Sequence, residues 1–192
     1  MHKWSKKFEL QYWNAEADQY YIDNLRQKYS FFDVDNFIDE NVNLAIDIGG
    51  GKFGGALYLF RDARRSILVD LLANEFRKTG KLPEHVEIIA SDFSDIPLDS
   101  FCANVIFAWN VYDHANNEKH FISGMLEVKR LLKPNGLFFG SFPLRLRSRN
   151  GHPFCITEKM ISQQFDVFHL IKDFVIGEPY YRDKTLFLIV KK

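Results

Sequence analysis

The stretch NLAIDIGGGKFGG, residues 43–55, decides the fold. Its apolar half predicts a strand, the triple glycine of residues 49–51 predicts a tight turn, and residues 56–61 predict a helix. Glycine allows a positive φ at such a turn and lets a ligand approach the main chain, while the following helix presents unpaired N–H groups and a positive dipole end. The stretch therefore predicts a site for a polar or anionic ligand.

The glycine spacing is compatible with two kinds of ligand. Gly49, Gly51 and Gly54 satisfy the G-x-G-x-x-G pattern of a dinucleotide site. Asp47, two residues before Gly49, argues against that ligand, because a carboxylate at the tip of the strand would repel a pyrophosphate. The same carboxylate would attract a cation.

The string DIGGG of residues 47–51 resembles the first motif of class I S-adenosylmethionine-dependent methyltransferases. In that family an acidic-x-Gly-x-Gly turn binds the amino-acid end of a sulfonium cofactor. The chain departs from the motif at Phe53, where many members carry a glycine. The resemblance implies S-adenosylmethionine as the cofactor, with contacts from Asp47, Gly49, Gly50 and Gly51.

A second acid, Asp70, follows the strand predicted over residues 66–69. It lies 21 positions after Gly49, the spacing at which a carboxylate reaches the ribose hydroxyls of an adenosine ligand. The alternative is that Asp70 only caps the helix predicted over residues 71–79. We expect Asp70 to bind ribose, and the resemblance adds Leu71 to the cofactor contacts.

A third acid, Asp92, and the neighbouring Phe93 follow the strand predicted over residues 84–90. The resemblance implies that Asp92 takes the adenine amino group and that Phe93 stacks against the adenine ring. The alternative is an ordinary aspartate turn followed by a core phenylalanine.

Residues 101–109, FCANVIFAW, form the most apolar stretch and predict a strand buried on both faces. The run WNVYDHA of residues 109–115 resembles the loop after strand four of the methyltransferases, which faces the cofactor and the methyl acceptor. The resemblance places Asn110 at the cofactor. His114 is a candidate general base that Asp113 would orient, since an imidazole is mostly neutral at neutral pH. The alternative is that His114 only caps the next helix or binds a backbone group.

Residues 143–153, PLRLRSRNGHP, predict an irregular loop that we expect to face the acceptor. Its arginines, Arg145, Arg147 and Arg149, suit a phosphate or carboxylate on the acceptor, and an exposed basic loop is the alternative. His152 is a second candidate for the general base.

The remaining pattern completes the fold. The run LLKPNGLFFGSF of residues 131–142 is similar to the segment that leads into strand five of class I methyltransferases. The resemblance implies an α/β fold: a Rossmann-like αβα sandwich with a seven-stranded, mostly parallel sheet and an antiparallel last strand. Residues 43–192 would form this domain, and residues 1–42 a helical extension, either a lid over the cofactor or a layer packed on the core. The other predicted elements are helices over residues 118–132 and 157–163 and strands over residues 137–142, 165–176 and 185–190.

Composition limits the partners. The 192 residues suit one domain, and 25 basic against 25 acidic side chains give a net charge of zero, which does not favour nucleic acid. We expect no membrane partner and a cytoplasmic protein, because the sequence shows neither a signal peptide nor an apolar run of about 20 residues. Cys102 and Cys155 have no zinc-ligand spacing, so no metal is expected.

We predict an S-adenosylmethionine-dependent methyltransferase that acts on a small-molecule acceptor, anionic or sugar-like, by in-line displacement. A nicotinamide-dependent oxidoreductase would share the glycine turn and Asp70 but leaves Asp47 unexplained. A non-catalytic partner subunit that binds adenosylmethionine is a further alternative. The sequence also leaves a homo-oligomer open.

Overall fold

A computed structural model of the chain describes residues 42–53, 63–78, 85–144, 154–166, 168–177 and 184–192. Within them the strands form one seven-stranded sheet in the order β3-β2-β1-β4-β5-β7-β6. Neighbouring strands run parallel, except that β7 runs antiparallel to both β5 and β6. The strands are β1 (Leu44–Ile48), β2 (Arg65–Val69), β3 (Val86–Ile89), β4 (Ala103–Trp109), β5 (Leu132–Leu144), β6 (His169–Gly177) and β7 (Lys184–Lys191). The helices are α1 (Ala73–Lys78), α2 (Glu118–Leu131) and α3 (Glu158–Ser162).

This sheet confirms the predicted fold class, including the antiparallel last strand. It also departs from the classic dinucleotide-binding order 3-2-1-4-5-6, because β7 inserts between β5 and β6. Among the described residues no helix is long and apolar enough to cross a membrane.

The strands β1 and β4 form the centre of the sheet. All five residues of β1 are buried, and β4 is buried along most of its length. Strands covered on both faces are near-continuous apolar runs, as these two sequences are. The direction in which strands are added reverses between β1 and β4, and open α/β sheets bind ligands at the carboxyl ends of strands at such a point.

Helix α2 covers one face of the sheet and holds the connection between β3 and β4 in place. The Arg130 guanidinium donates hydrogen bonds to the carbonyls of Ile96 at 2.8 Å and Leu98 at 2.6 Å. The Glu127 carboxylate accepts from Arg130 at 2.8 Å and from the Ile96 N–H at 2.9 Å. This pair ties the connection that follows Asp92 to the helix.

The element boundaries differ from the predictions at a few places. Pro143 and Leu144 do not begin the expected acceptor loop, because they pair with β7 as the last residues of β5. Strand β5 also starts five residues earlier than predicted, with Leu132 paired to Ala103 before the register shifts. Phe101 lies in a turn before β4 with φ of 56°, and Phe165 lies before β6.

Several predicted segments lie outside the described residues. They are the N-terminal extension apart from Val42, the helix of residues 56–61 and the arginine-rich loop from residue 145 to residue 153. The division of the chain at residue 42 therefore stays a prediction.

Candidate functional site

The glycine turn joins β1 to the neighbouring strands. Gly49 and Gly51 adopt φ of 67° and 65°, in the left-handed region that glycine adopts readily. The Gly49 N–H donates to the Val69 carbonyl at 2.7 Å, which fixes the end of β1 against β2. A Cβ on Gly49 would lie 2.4 Å from Val111 Cγ2, so the turn packs directly on the segment after β4. The turn leaves no room for a side chain at this position.

Asp47 lies directly beneath this turn. Its side chain is fully buried, and a Cβ on Gly50 would lie 2.3 Å from Asp47 Oδ2 and 2.6 Å from Leu68 Cδ1. A buried carboxylate is costly unless other groups compensate its charge. A cation bound over the turn would add such compensation.

Asp70 ties the glycine turn to the start of α1. Its Oδ2 accepts a hydrogen bond from the Gly51 N–H at 3.1 Å, and its Oδ1 accepts from the Leu72 N–H at 2.8 Å. Burial raises the pKa of Asp70, and the two N–H groups and His114 partly oppose that shift. Because a carboxylate has about four lone-pair positions, each oxygen can also accept from a hydroxyl. Asp70 therefore caps the backbone at the start of α1, as the alternative predicted, and its contact with ribose stays a prediction.

Leu71, next to Asp70, points outward. Its side chain is 42% exposed, so it is open to contact with a ligand. The flat face of an adenine ring would cover such a side chain.

Asp92 keeps one oxygen open. Its Oδ1 accepts from the Ser94 N–H at 2.9 Å, the Ser94 hydroxyl at 2.7 Å and His120 Nε2 at 2.8 Å. Burial acts to raise the pKa of Asp92, but these hydrogen bonds outweigh it and the pKa lies below its usual value. The carboxylate is therefore ionised at neutral pH, with its Oδ2 able to accept a hydrogen bond.

Phe93 lies in the core. Its side chain is 7% exposed, its ring stacks on the His120 imidazole at 4.5 Å, and its edge meets the Tyr112 ring at 5.3 Å. A Cβ on Gly124 of α2 would lie 2.5 Å from the Phe93 ring. The placement agrees with the alternative of a core phenylalanine, and the expected stacking on adenine stays a prediction.

Asn110 adopts a left-handed backbone at the end of β4, with φ of 51°. Ser141 of β5 holds it there: the Ser141 hydroxyl donates to Asn110 Oδ1 at 2.7 Å, and the Asn110 N–H donates to Ser141 Oγ at 3.0 Å. Non-glycine residues with positive φ are uncommon and occur where the surroundings enforce them. The carboxamide Nδ2 takes part in neither of these hydrogen bonds.

Asp113 and His114 lie in a single 3-10 turn, Tyr112–His114, after β4. Asp113 is fully buried, whereas His114 is half-buried and close enough to Asp70 to lower that residue's pKa. With three residues per turn, adjacent side chains of a 3-10 helix point about 120° apart. Asp113 therefore faces the interior, and His114 faces the edge that carries Asp70. His152, the other candidate base, lies outside the described residues.

The structure thus brings most of the predicted residues to one edge of the sheet. Asp47 lies near the end of β1, Asp70 follows β2, and Asn110 and His114 follow β4, while Asp92 follows β3 at the same edge. Parallel strands present their carboxyl ends together, so these positions lie at the edge where open α/β sheets bind ligands.

Comparisons with known proteins agree with this arrangement. The model of a methyltransferase domain family matches residues 46–140, which is 95 of the 192 residues. The match runs from β1 to the middle of β5 and includes the glycine turn and all three acids. Residues 46–140 therefore form a methyltransferase domain, and the match and the fold agree with a class I S-adenosylmethionine-dependent methyltransferase.

Solved structures share the methyltransferase fold at low sequence identity. The N-methyltransferase NodS from Bradyrhizobium japonicum, in complex with S-adenosylhomocysteine, is 14% identical with a TM-score of 0.65, covering 79% of this chain and 78% of its own. A methyltransferase from Methanosarcina mazei is 14% identical with a TM-score of 0.63, covering 83% and 96%. The [4+2]-cyclase SpnF is 15% identical with a TM-score of 0.62, covering 78% and 74%. The comparison with curated proteins finds no match.

The residues of this methyltransferase fit its cofactor, S-adenosylmethionine. A buried carboxylate, Asp47, suits the cationic amino-acid end, and the turn at Gly50 has no side chain that would block it. Asp70 and Leu71 suit ribose and adenine, and Asp92 Oδ2 suits the adenine amino group. Among the described residues no group of three or more metal-ligating side chains lies together.

Sequence reasoning missed three residues that shape the methyltransferase site. Lys52 lies in the glycine turn with a buried side chain, although a lysine in a turn is normally expected to be exposed. Ser141 and His120 reach the site from β5 and α2, 31 and 28 residues away from their partners. A signal for His120 was its place in the first turn of α2, directly before buried Phe121.

Proposed function

We propose that the protein transfers the methyl group of S-adenosylmethionine to a small-molecule acceptor that carries a hydroxyl or an amine. The observation that carries this proposal is the position of His114, half-buried in the 3-10 turn that follows β4 at the carboxyl edge of the sheet. An imidazole there would lie between the expected ribose site and the solvent side of the cleft.

The described residues would hold the cofactor at the edge of the sheet where His114 lies. Asp47 and the glycine turn would bind the amino-acid end, Asp70 the ribose and Asp92 the adenine. When bound, S-adenosylmethionine supplies an electrophilic methyl group on a positively charged sulfur. The chain's own contribution would be alignment, because holding two reactants in line replaces a bimolecular step by a unimolecular one.

His114 would act as general base. A neutral imidazole can accept the proton of an acceptor hydroxyl as the methyl group is transferred, or can remove a proton from an acceptor ammonium before its nitrogen attacks the methyl group. Asp113 is buried in the same 3-10 turn and would fix the position of that turn, while His114 is only half-buried.

The acceptor would be small and anionic or sugar-like. The chain carries no net charge, which does not favour a polyanionic macromolecule. The arginine-rich loop begins after Leu144, at the carboxyl end of β5, and β5 lies parallel to β4 in the sheet. The loop therefore starts at the edge of the sheet where the site lies. Guanidinium groups pair well with phosphate and carboxylate.

A transfer assay tests the proposal. The protein would be incubated with S-adenosylmethionine labelled in its methyl group and with a panel of sugars, sugar phosphates, carboxylic acids and amines. We expect label to appear in at least one acceptor, and His114→Ala to reduce the rate by about 100-fold while cofactor binding persists. His169→Ala, at an exposed position on β6, is the matched control and should transfer at the normal rate.

Three results would count against parts of this proposal. Unchanged transfer by His114→Ala would remove His114 from the mechanism and direct attention to His152. Cofactor binding without transfer to any acceptor would favour a non-catalytic partner subunit. Transfer to a protein or nucleic acid alone would overturn the small-molecule acceptor.

A further inference from the structure

His120 forms a hydrogen-bonded chain with Asp92 that the methyltransferase reaction does not by itself require. Three donors, the Ser94 N–H at 2.9 Å, the Ser94 hydroxyl at 2.7 Å and His120 Nε2 at 2.8 Å, all end on Asp92 Oδ1. In the part of the chain that the structure describes, no donor ends on Oδ2. The two oxygens of one carboxylate are thus used unequally.

The hydrogen bonds around the imidazole indicate which of its two nitrogens carries the proton. The backbone N–H of Asn116 donates to His120 Nδ1 at 3.1 Å, so Nδ1 carries a lone pair. The ring proton therefore lies on Nε2, and the Nε2–H points at Asp92 Oδ1. The Asn116 carboxamide nitrogen approaches Nδ1 at 3.4 Å as a second neighbour on the same side.

The imidazole is also fixed in place. The backbone N–H of His120 donates to Asn117 Oδ1 at 3.0 Å, which caps the start of α2. Its ring stacks on Phe93 with an interplanar angle of 16°. With one face covered and both nitrogens bonded, the ring cannot turn its Nε2–H away from Asp92.

We propose that His120 is a positioning residue that sets the purine specificity of the cofactor site. By holding Oδ1, it presents Asp92 Oδ2 to the ligand as an acceptor without a proton. An adenine, which carries an amino donor at C6, satisfies that oxygen. A hypoxanthine carries a carbonyl at C6, and two acceptors would face each other. This inference rests on the assignment of Asp92 to adenine in the proposed function.

The test compares two ligands that differ at C6 alone, S-adenosylhomocysteine and S-inosylhomocysteine. Calorimetric titration of the full chain gives both affinities. We expect the wild type to prefer the adenosyl ligand by at least about tenfold, since leaving a charged hydrogen-bonding group unsatisfied costs a factor of that size or more. Absence of binding by either ligand would overturn both this inference and the proposed function.

Two variants separate positioning from packing. His120→Phe keeps a ring against Phe93 but has no donor, and we expect its preference for the adenosyl ligand to fall about tenfold. In His120→Gln the amide N–H can take the place of the Nε2–H, and the preference should stay within about threefold of the wild type. His169→Phe, at an exposed position on β6, controls for a histidine-to-phenylalanine change and should match the wild type.

The outcomes have distinct meanings. A loss of the preference in His120→Phe and its rescue in His120→Gln would support the positioning role. Equal weakening of both ligands by His120→Phe would show a merely structural ring and overturn the inference. Equal affinity of the wild type for both ligands would also overturn it, while adenosyl binding would leave the cofactor assignment intact.

Discussion

Asp70 and Asp92 both follow parallel strands at the same edge of the sheet, Asp70 directly after β2 and Asp92 three residues after the end of β3, yet their carboxylates are used differently. Each oxygen of Asp70 accepts from a backbone N–H, one in the glycine turn and one before α1. All three hydrogen bonds to Asp92 end on a single oxygen. Asp70 therefore joins two turns of the main chain, whereas Asp92 presents an open acceptor.

The difference shows that the spacing in the sequence predicts where an acid lies in the fold. The groups around the carboxylate then determine its pKa and the hydrogen bonds that it can still accept. Burial raises the pKa of Asp70, while donors from Ser94 and His120 bring the pKa of Asp92 below its usual value. We therefore expect substitutions at Asp70 to affect the shape of the turn and ligand binding together. Substitutions at Asp92 should affect mainly the recognition of adenine.

The largest effect is expected for Asp70→Asn. An asparagine has one acceptor oxygen, so either the Gly51 N–H or the Leu72 N–H would face an amide NH2 group. We expect the affinity for S-adenosylhomocysteine, measured by calorimetry, to fall by about 30- to 100-fold. Asp99→Asn, exposed in the turn before β4, is the control and should bind normally. A loss below threefold in Asp70→Asn would contradict the double role of this carboxylate.

A smaller and more selective effect is expected for Asp92→Asn. The amide oxygen can still accept from Ser94 and His120, while the amide NH2 replaces Oδ2. The affinity for S-adenosylhomocysteine should fall about tenfold, and that for S-inosylhomocysteine should rise, because a donor then faces the C6 carbonyl. Calorimetric titrations of Asp92→Asn with S-adenosylhomocysteine and with S-inosylhomocysteine measure both changes in affinity. A variant that weakens both ligands equally would show that Asp92 does not contact the purine edge.

The two acids should also differ in their pH dependence. The pKa of Asp92 is lower in the folded than in the unfolded chain, so its stabilisation is present above about pH 4 and is lost as the pH falls further. The pKa of Asp70 is raised, so its stabilising contribution is present below about pH 4 and is lost as the pH rises through the folded value.

Urea unfolding of the wild type, Asp70→Asn and Asp92→Asn between pH 3 and pH 7 tests this contrast. As the pH falls, the free energy of unfolding of the wild type should decrease relative to Asp92→Asn and increase relative to Asp70→Asn. The expected changes are on the order of 1 kcal/mol. Trends of the same sign for the two variants would contradict the opposite environments of the two acids.

The smallest effect is expected for Tyr112→Phe, a substitution in the buried core. The Tyr112 ring stacks on Phe142 at 5.7 Å, and its buried hydroxyl has no hydrogen-bond partner among the described residues. Removing an unsatisfied buried hydroxyl should leave the free energy of unfolding unchanged or raise it by up to about 1 kcal/mol. Urea unfolding measures this, and a loss of more than about 1 kcal/mol would show that the hydroxyl is satisfied.

The positions of the strands along the chain and the acids that follow them could be predicted because the signal is local, whereas the arrangement of the sheet came from the family resemblance. A buried parallel strand is a continuous apolar run, and the polar residue that follows it marks its carboxyl end, as Asp70 and Asp92 do. The early start of β5 was missed because Pro134-Asn135-Gly136 is typical of a break. In the structure Leu132 pairs with Ala103 and Leu137 with Val105, and between them Asn135 and Gly136 form backbone hydrogen bonds with Lys192.

The contacts that distinguish the two acids could not be predicted from local patterns. His120 lies 28 residues after Asp92, and its imidazole meets the carboxylate only because α2 packs on the β3–β4 connection. The Asn110 backbone and its Ser141 partner depend in the same way on the pairing of β4 with β5. Propensity carries no information on such distant pairs.

Calorimetric titration of the purified protein with S-adenosylmethionine, S-adenosylhomocysteine and NADH tests the central claim most directly. We expect saturable binding of the first two ligands, no binding of NADH, and a loss of about tenfold or more in affinity for S-adenosylmethionine in Asp47→Ala. Binding of NADH alone, or an unchanged affinity in Asp47→Ala, would contradict a site built around a buried carboxylate and a cationic cofactor.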